Sequence, residues 1–205
     1  MKLALFGATG ATGRHLLEQA LTRGHHVTAL ARDAASLPTD HPGLTVVLGH
    51  IAQPEAVLRV VRGQDAVISV LGVRDGGPVT ICSDGARAII AAMRTAGTRR
   101  LIALSAYGAS ETRHASLLIR FVRAVIADKM RDKDAMEALV RDSGLDWTLV
   151  RPPILTNGAA SGTYRAGAAP RMAAFARIAR ADVAHFLLRE AAEAADIGQA
   201  VIVTG

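Results

Sequence analysis

The amino-acid sequence predicts an α/β fold in which a doubly wound, mostly parallel sheet carries helices on both faces. Short apolar segments alternate with helical patterns along all 205 residues, which is the order of a parallel sheet covered on both sides. The first apolar segment also runs through a glycine-rich turn into a helical pattern. Because no shift in composition divides the chain, we expect one domain over residues 1–205.

The glycine-rich turn follows a first predicted strand at residues 3–5 and precedes a predicted helix over residues 14–21. It consists of Gly7, Ala8, Thr9, Gly10, Ala11, Thr12 and Gly13. Such a turn directs backbone N–H groups and a helix N-terminus at an anion, and glycine allows close approach. A second strand at 27–31 completes the order that a dinucleotide site requires. The sequence therefore predicts a pyrophosphate site, with a purely structural turn as the alternative.

The residue after the second strand bears on which dinucleotide binds. NAD sites usually carry Asp or Glu at this point for the ribose 2′-hydroxyl, whereas this chain has Arg32. A guanidinium can hold a 2′-phosphate through two hydrogen bonds, so NADP(H) is the expected cofactor. NAD(H) stays an alternative, because Asp33 is adjacent and Arg32 could simply be solvated.

The remaining elements follow from apolar runs and the residues at their ends. Pro54 predicts the first turn of a short helix, Gly97 the end of a long one, and Pro152 the end of a strand. The predicted strands cover 44–48, 65–71, 100–105, 147–150 and 200–204, and the predicted helices cover 54–61, 83–96 and 182–192. Loops near 106–128 and 154–172 follow carboxyl ends of strands. We therefore expect them to border the substrate cleft, with ordinary surface loops as the alternative.

Three polar side chains near the predicted cleft are candidates for catalysis. Ser105 ends the fifth strand, Lys133 lies on a predicted helix, and Arg74 closely follows the fourth strand. We expect Ser105 to anchor substrate or the nicotinamide carboxamide, and Lys133 or Arg74 to assist electrostatically. The alternatives are a serine that satisfies nearby backbone, a lysine paired with Glu137 on its own helix, and a surface arginine.

The two tyrosines exclude one mechanism. Carbonyl-reducing short-chain dehydrogenases donate a proton from a tyrosine whose pKa is lowered by a lysine four residues later. In this chain Tyr107 and Tyr164 are followed at that spacing by Glu111 and Ala168. The sequence therefore lacks the usual proton donor for simple ketones and sugars.

Composition excludes several other classes of protein. The balance is basic, with 24 Lys and Arg against 18 Asp and Glu, but one Trp, two Tyr and four Phe are few for stacking bases, and we expect no nucleic-acid partner. The apolar segment 117–127 is interrupted by Arg120 and Arg123, so we expect no membrane partner. The single cysteine, Cys82, and a first strand near residue 2 favour a cytoplasmic location without a signal peptide. No Cys/His spacing predicts a metal site.

Several short motifs occur together along nearly the whole chain. They are Gly7–Gly13, Arg32-Asp33 with Leu37-Pro38, 63–68, 83–87, 143–145 and Arg151-Pro152-Pro153. In this combination the chain resembles the atypical short-chain dehydrogenases/reductases grouped with flavin reductase/biliverdin-IXβ reductase and the NmrA-like NAD(P)H-binding proteins. The resemblance implies a Rossmann-type sheet with NADPH bound across its strand ends.

The resemblance also implies roles for individual residues around that cofactor. Thr9 and Thr12 would lie near the phosphates and Arg32 at the 2′-phosphate. The remaining implied contacts are His50 and Ile51 at the adenine, Leu71 and Gly72 at the ribose, and Ser105, Pro152, Pro153 and Ile154 at the nicotinamide. Three positions depart from the family pattern. His50 replaces the aspartate expected after the third strand, Ile154 replaces a histidine of the biliverdin reductases, and Ser36 replaces a second basic residue.

Reductases in this group pass hydride to flavins, quinone-like dyes or linear tetrapyrroles, which delocalise charge and need no dedicated tyrosine. The first hypothesis is therefore an NADPH-dependent reductase of a flavin or quinone-type acceptor. The second is a non-catalytic NmrA-like redox sensor that holds NADP(H) and signals to a protein. An isomerase or epimerase is disfavoured by the missing tyrosine/lysine pair. The expected partner is a small planar acceptor, and the chain is expected to be a monomer or a homodimer.

Overall fold

A central eight-stranded sheet organises the protein in a computed structural model that describes residues 1–38, 40–73, 77–170, 173 and 175–205. The strands are β1 Lys2–Phe6, β2 His26–Ala31, β3 Leu44–Leu48, β4 Ala66–Ser69, β5 Arg100–Leu104, β6 Asp146–Arg151, β7 Ile154–Thr156, β8 Arg165–Gly167, β9 Arg177–Ala179 and β10 Gln199–Thr204. The helices are α1 Ala11–Thr22, α2 Pro54–Val61, α3 Ile81–Ala96, α4 Leu117–Val125, α5 Ala127–Arg141 and α6 Arg180–Glu193. The order of the central sheet is β3-β2-β1-β4-β5-β6-β10-β8.

The direction of the chain reverses next to β1, and this places the ligand edge. Residues of β1 pair in parallel with β2 on one side and with β4 on the other, so Phe6 lies opposite both Leu30 and Ser69. The chain runs outward from β1 to β3 and then returns to start the second half at β4. In such sheets ligands bind at the carboxyl ends of the strands, at this switch point.

Alternating side chains of the strands build one hydrophobic core on each face of the sheet. In β1, Leu3 and Leu5 pack into the core under α1 and α6, whereas Ala4 and Phe6 pack into the core under α2, α3 and α5. All of these side chains are almost fully buried. The two-sided burial explains why the strands are continuously apolar rather than alternating in polarity.

The doubly wound fold is confirmed, and several predicted boundaries agree with it. The bounds of β3 and α2 are those predicted, and Gly97 ends α3 with a φ of 74°. The first helix begins at Ala11, earlier than predicted, because Gly10 is its N-cap. The fourth strand is shorter than predicted and ends at Ser69.

The two ranges predicted as loops contain regular elements: α4 lies within 106–128, and β7 and β8 lie within 154–172. That both ranges border the substrate cleft stays a prediction. β7 pairs with β9 in a separate two-stranded sheet, and β8 lies antiparallel to β10 at the edge of the central sheet. The sequence Arg165-Ala166-Gly167 carries no apolar alternation, and only the backbone of the distant β10 makes it a strand. Among the described helices, none combines the length and apolarity needed to cross a membrane.

Candidate functional site

The glycine-rich turn connects β1 to α1 by a path that side chains would block. Gly7 has a φ of 92°, and a Cβ added there would lie 2.9 Å from the carbonyl oxygen of Val70. A Cβ on Gly13 would lie 2.0 Å from the carbonyl oxygen of Gly7. The N–H of Gly10 donates to Gly7 O at 3.0 Å and that of Arg14 to Gly10 O at 2.9 Å. The first turn of the helix is thus held tightly against the end of β1.

The N-terminus of α1 is open to an anion. Its N-cap, Gly10, provides no side-chain hydrogen bond, and the first turn contains no acidic residue. Within the described part of the chain, no acceptor binds the backbone N–H groups of Ala11, Thr12 and Gly13, and such groups are what an anion site requires. Thr12, in this first turn, is buried. The turn fits the pyrophosphate of a nicotinamide dinucleotide.

The N-terminus of α3 differs, because a carboxylate already occupies it. Asp132 accepts the N–H groups of Cys82 and Ser83, both at 2.9 Å. Burial would raise the pKa of Asp132, but the hydrogen bonds from Ser83 and Cys82 outweigh it and hold the pKa below its usual value. Of the two helices that begin beside the switch point, α1 is the one whose first-turn amides remain available.

A small cavity of about 130 Å³ lies between the glycine-rich turn and the end of β2. It is lined by Thr9, Arg14, Arg32, Asp33 and Ser36. Arg14 Nε donates to the carbonyl oxygen of Thr9 at 3.3 Å, and Asp33 Oδ1 accepts the N–H of Ala35 at 3.0 Å. Two arginines, Arg14 and Arg32, therefore share this cavity with one carboxylate, and that carboxylate already accepts a backbone N–H two residues further along the chain.

Arg14 is the member of this cavity that the sequence prediction missed. Its position directly after Gly13 was visible, but only the phase of a helix starting at Ala11 brings its side chain to the end of β2. The structure thus offers a second cation beside Arg32. This cation comes from Arg14 and not from position 36, where this chain has Ser36 in place of a basic residue.

Two further predicted contacts lie at the end of β3. His50 is exposed, and its N–H donates to Gln53 Oε1 at 3.0 Å. Ile51 is half-buried and packs into the core under α2 and α3. The backbone turn is fixed, while the imidazole of His50 is free to contact solvent or a ligand.

Lys133 joins the ends of β4 and β5. Its Nζ donates to the carbonyl oxygen of Leu71 at 3.1 Å and to that of Leu104 at 2.6 Å. The Cys82 thiol also donates to Leu71 O at 3.4 Å, and burial raises the pKa of that thiol to about 11. The alternative pairing of Lys133 with Glu137 is therefore wrong. The lysine instead holds the backbone of Leu71, next to Gly72, in place.

Ser105 points its hydroxyl into the protein. Its Oγ donates to Glu137 Oε1 at 2.5 Å, and Arg151 Nε donates to the same oxygen at 2.9 Å. The fully buried Glu137 needs these donors. Burial would lower the pKa of Arg151, but its pairing with Glu137 and with Glu111 raises it above the usual value. The alternative that the Ser105 hydroxyl bonds to nearby backbone does not describe this geometry, because its acceptor is a side-chain carboxylate.

The far end of the cleft is built from β5, β6 and the segment after each. The N–H of Ser105 donates to Val150 O at 2.7 Å and that of Tyr107 to Pro152 O at 2.8 Å. Pro152 is buried and Pro153 is half-buried. Ile154 begins β7 with half of its surface exposed, at 50%. The structure therefore brings Ser105 and Pro152 together.

Arg74, the third catalytic candidate, lies outside the described residues.

Comparison with known proteins gives consistent matches. A family model described as NAD(P)H-binding matches residues 7–194. A (4-alkanoyl-5-oxo-2,5-dihydrofuran-3-yl)methyl phosphate reductase of Streptomyces griseus is 34% identical over 71% of this chain and 45% of its own. The photosystem II assembly factor Ycf39 of Synechocystis is 29% identical over 74% of this chain and 44% of its own. This chain thus spans about half the length of these relatives.

A solved structure shares the fold along nearly its full length. ChuY, described as an anaerobillin reductase from Escherichia coli O157:H7, superposes with a TM-score of 0.85. The superposition covers 99% of this chain and 96% of that one at 24% sequence identity. At this identity the likeness concerns the fold.

Proposed function

Since the chain belongs to the NAD(P)H-binding family, we propose that it is an NADPH-dependent oxidoreductase that passes hydride to a flavin or quinone-type acceptor. One observation carries the choice of acceptor. Ser105 and Lys133, the two catalytic candidates among the described residues, both donate hydrogen bonds to protein acceptors. An acceptor that delocalises charge and takes its proton from water needs neither group.

The choice of NADPH rests on the cavity that Arg14 and Arg32 share. A 2′-phosphate carries charge that two guanidinium groups would hold through charge-assisted hydrogen bonds. NADH carries a 2′-hydroxyl instead, so both guanidinium groups would lack an anionic partner. Asp33 is the group that would serve NADH instead, and its carboxylate already accepts the N–H of Ala35.

In the mechanism that we propose, the residues of this chain bind and orient. The first-turn N–H groups of α1 hold the pyrophosphate, and Lys133 keeps the backbone of Leu71 in place beside the ribose. Pro152 and Pro153 form the wall beside the nicotinamide. The bound cofactor supplies the hydride, and catalysis comes mainly from proximity and orientation of a flat acceptor.

NADPH oxidation with FMN, FAD and a panel of quinones tests the proposed activity. We expect turnover above the background rate with at least one planar acceptor. The Arg32→Ala variant should raise KM for NADPH and leave kcat nearly unchanged, because Arg32 lies far from the reacting atoms. Background rates with every acceptor, from a protein that binds NADPH, would reject the reductase.

The second candidate is an NADP(H)-binding regulator without turnover. The inward-facing donors of Ser105 and Lys133 support it equally, and one relative is named as an assembly factor rather than as an enzyme. Binding of NADPH without turnover, together with a protein partner recovered only in the presence of cofactor, would favour this function over the reductase.

A further inference from the structure

Helix α4 is attached to the protein through a charged residue. Arg123 Nη1 donates to the carbonyl oxygen of Gly108 at 2.5 Å, and Arg123 Nη2 pairs with Asp134 at 2.7 Å. The Ser116 hydroxyl caps the helix by accepting the N–H of Ile119 at 3.2 Å. The polar anchor on the inner side fixes the orientation of the helix on α5 and on the segment after β5.

The outer side of α4 is apolar, which inverts the usual arrangement of a surface helix. Leu117, Phe121 and Val125 are 80%, 68% and 68% exposed, and their four-residue spacing places them along one face. Val122 and Ile126 extend this apolar stripe with exposures of 41% and 38%. An exposed apolar surface of this kind is the mark of a contact with another molecule or with a membrane.

Exposed cations lie on α4 and on the segments directly before and after it. Arg120 is exposed on α4, and Lys129 is exposed on α5 just after it. Arg113 is exposed on a short 3-10 helix, Ser110–His114, that precedes α4. Asp128, which follows α4, is paired with Arg131. Two copies of this chain meeting at the stripe would bring like charges together, which disfavours a symmetric dimer at this face.

The chemistry of the stripe also fits a lipid surface better than a protein. Stable protein interfaces bury about 800 Å² on each partner and are built around Trp, Tyr and Arg anchors. This stripe is short, and Phe121 is the single aromatic among four aliphatic residues. An apolar face flanked by Lys and Arg is the pattern of a helix that lies in the interface of an anionic bilayer.

We propose that the stripe formed by Leu117, Phe121, Val122, Val125 and Ile126, with the cations around it, docks this protein on an anionic lipid surface. The sequence-based expectation of no membrane partner rested on Arg120 and Arg123, which prevent the segment from crossing a bilayer. Of these two, Arg120 would contact the headgroups, whereas Arg123 is the inner anchor. Because Arg123 binds the carbonyl of Gly108, just after β5, the docking helix lies at the edge of the sheet that carries the cofactor cleft. The proposal does not depend on the enzymatic activity.

Co-sedimentation of the full chain with vesicles tests the docking. Vesicles of phosphatidylcholine alone are compared with vesicles that also contain phosphatidylglycerol, at low and at high salt. We expect the protein to sediment with the anionic vesicles, to remain in solution with the neutral ones, and to be released by salt, because exposed charges are screened.

Two substitutions separate the apolar and the ionic contributions. Phe121→Gln should weaken binding to anionic vesicles about tenfold, because a side chain of this size loses its burial. Arg120→Glu should weaken it by a similar factor of about ten, because one headgroup contact is lost and one repulsion gained. As controls, Ile197→Gln replaces another exposed apolar side chain with glutamine, and Arg59→Glu reverses another exposed charge. Both sites lie on other parts of the surface, and both variants should bind as the wild type does.

Thermal melting and NADPH binding of each variant establish that the fold is retained. Equal sedimentation with neutral and anionic vesicles, or sedimentation that Phe121→Gln leaves intact, would overturn the proposal. Failure to sediment with either vesicle would do the same. A dimer in light scattering that Phe121→Gln dissociates would assign the stripe to a second copy of the chain instead.

Discussion

The cavity shared by Arg14 and Arg32 makes a quantitative prediction about cofactor choice. Replacing Arg32 with alanine removes one of two guanidinium groups from a space of about 130 Å³ that can hold one phosphate. The N–H groups at the start of α1 are untouched by this change. We therefore expect Arg32→Ala to weaken NADPH binding and to leave NADH binding nearly as it is.

The size of the effect follows from the kind of hydrogen bond that is lost. A hydrogen bond to a charged group contributes about 1.5–3 kcal/mol, and we take the lower end because Arg32 is exposed and water screens it. A loss of about 1.5 kcal/mol corresponds to about a tenfold increase in Kd. Arg14→Ala should act in the same direction, with a smaller effect because Arg14 also donates to the Thr9 carbonyl.

Parallel titrations of NADPH and NADH, followed by nicotinamide fluorescence, measure this difference. Arg62→Ala is the matched control, because it removes the same charge from an exposed position at the end of α2, and it should change neither Kd. Equal affinities of the wild type for the two cofactors would refute the assignment of NADPH. An equal loss of both affinities in Arg32→Ala would show that the arginine stabilises the turn rather than a 2′-phosphate.

Three further predictions concern the fold around the site. In Gly13→Ala the added Cβ would lie 2.0 Å from Gly7 O in the present geometry. The substitution should lower the free energy of unfolding in urea by about 1–3 kcal/mol and weaken the binding of NADPH and NADH equally. Unchanged binding would contradict the pyrophosphate site at the glycine-rich turn. Arg151→Met would remove the closer of the two arginines that pair with the buried Glu137, leaving only Arg141 at 3.8 Å, and should cost about 3–5 kcal/mol of unfolding free energy. Adding Glu137→Met should restore part of the loss, and no recovery in the double variant would argue against the pair. Burial lowers the pKa of His185, so the native state binds fewer protons than the unfolded state and stability should fall as the pH drops below about 6.5. In His185→Gln the melting temperature should depend less on pH in this range. An unchanged dependence would assign the effect to other groups.

Much of the fold follows from local patterns along the chain. The strand at β3 and the helix at α2 have the predicted bounds, because an apolar run and a proline at the first helical turn are local signals. β8 could not be predicted in this way, since its backbone is ordered by pairing with β10, which is far away in sequence. The same holds for the pairing of β7 with β9.

The candidate site divides in the same manner. Gly7, Gly10 and Gly13 were predictable because a turn without room for side chains requires glycine, and the glycines are visible in the sequence. The hydroxyl of Ser105 was not, since its direction depends on Glu137 of α5 and Arg151 of β6. Lys133 likewise contacts carbonyls at the ends of two strands rather than the glutamate on its own helix.

By itself, the sequence determined the doubly wound sheet and the glycine turn at the start of α1, because both depend on residue types at fixed local spacing. Only the tertiary structure placed Arg14 beside Arg32, turned Ser105 inward, and left the apolar face of α4 exposed. Each of these depends on which distant group supplies a hydrogen-bond partner or covers a surface. Spacing along a chain cannot encode that choice, because the partners are brought together by the packing of the whole domain.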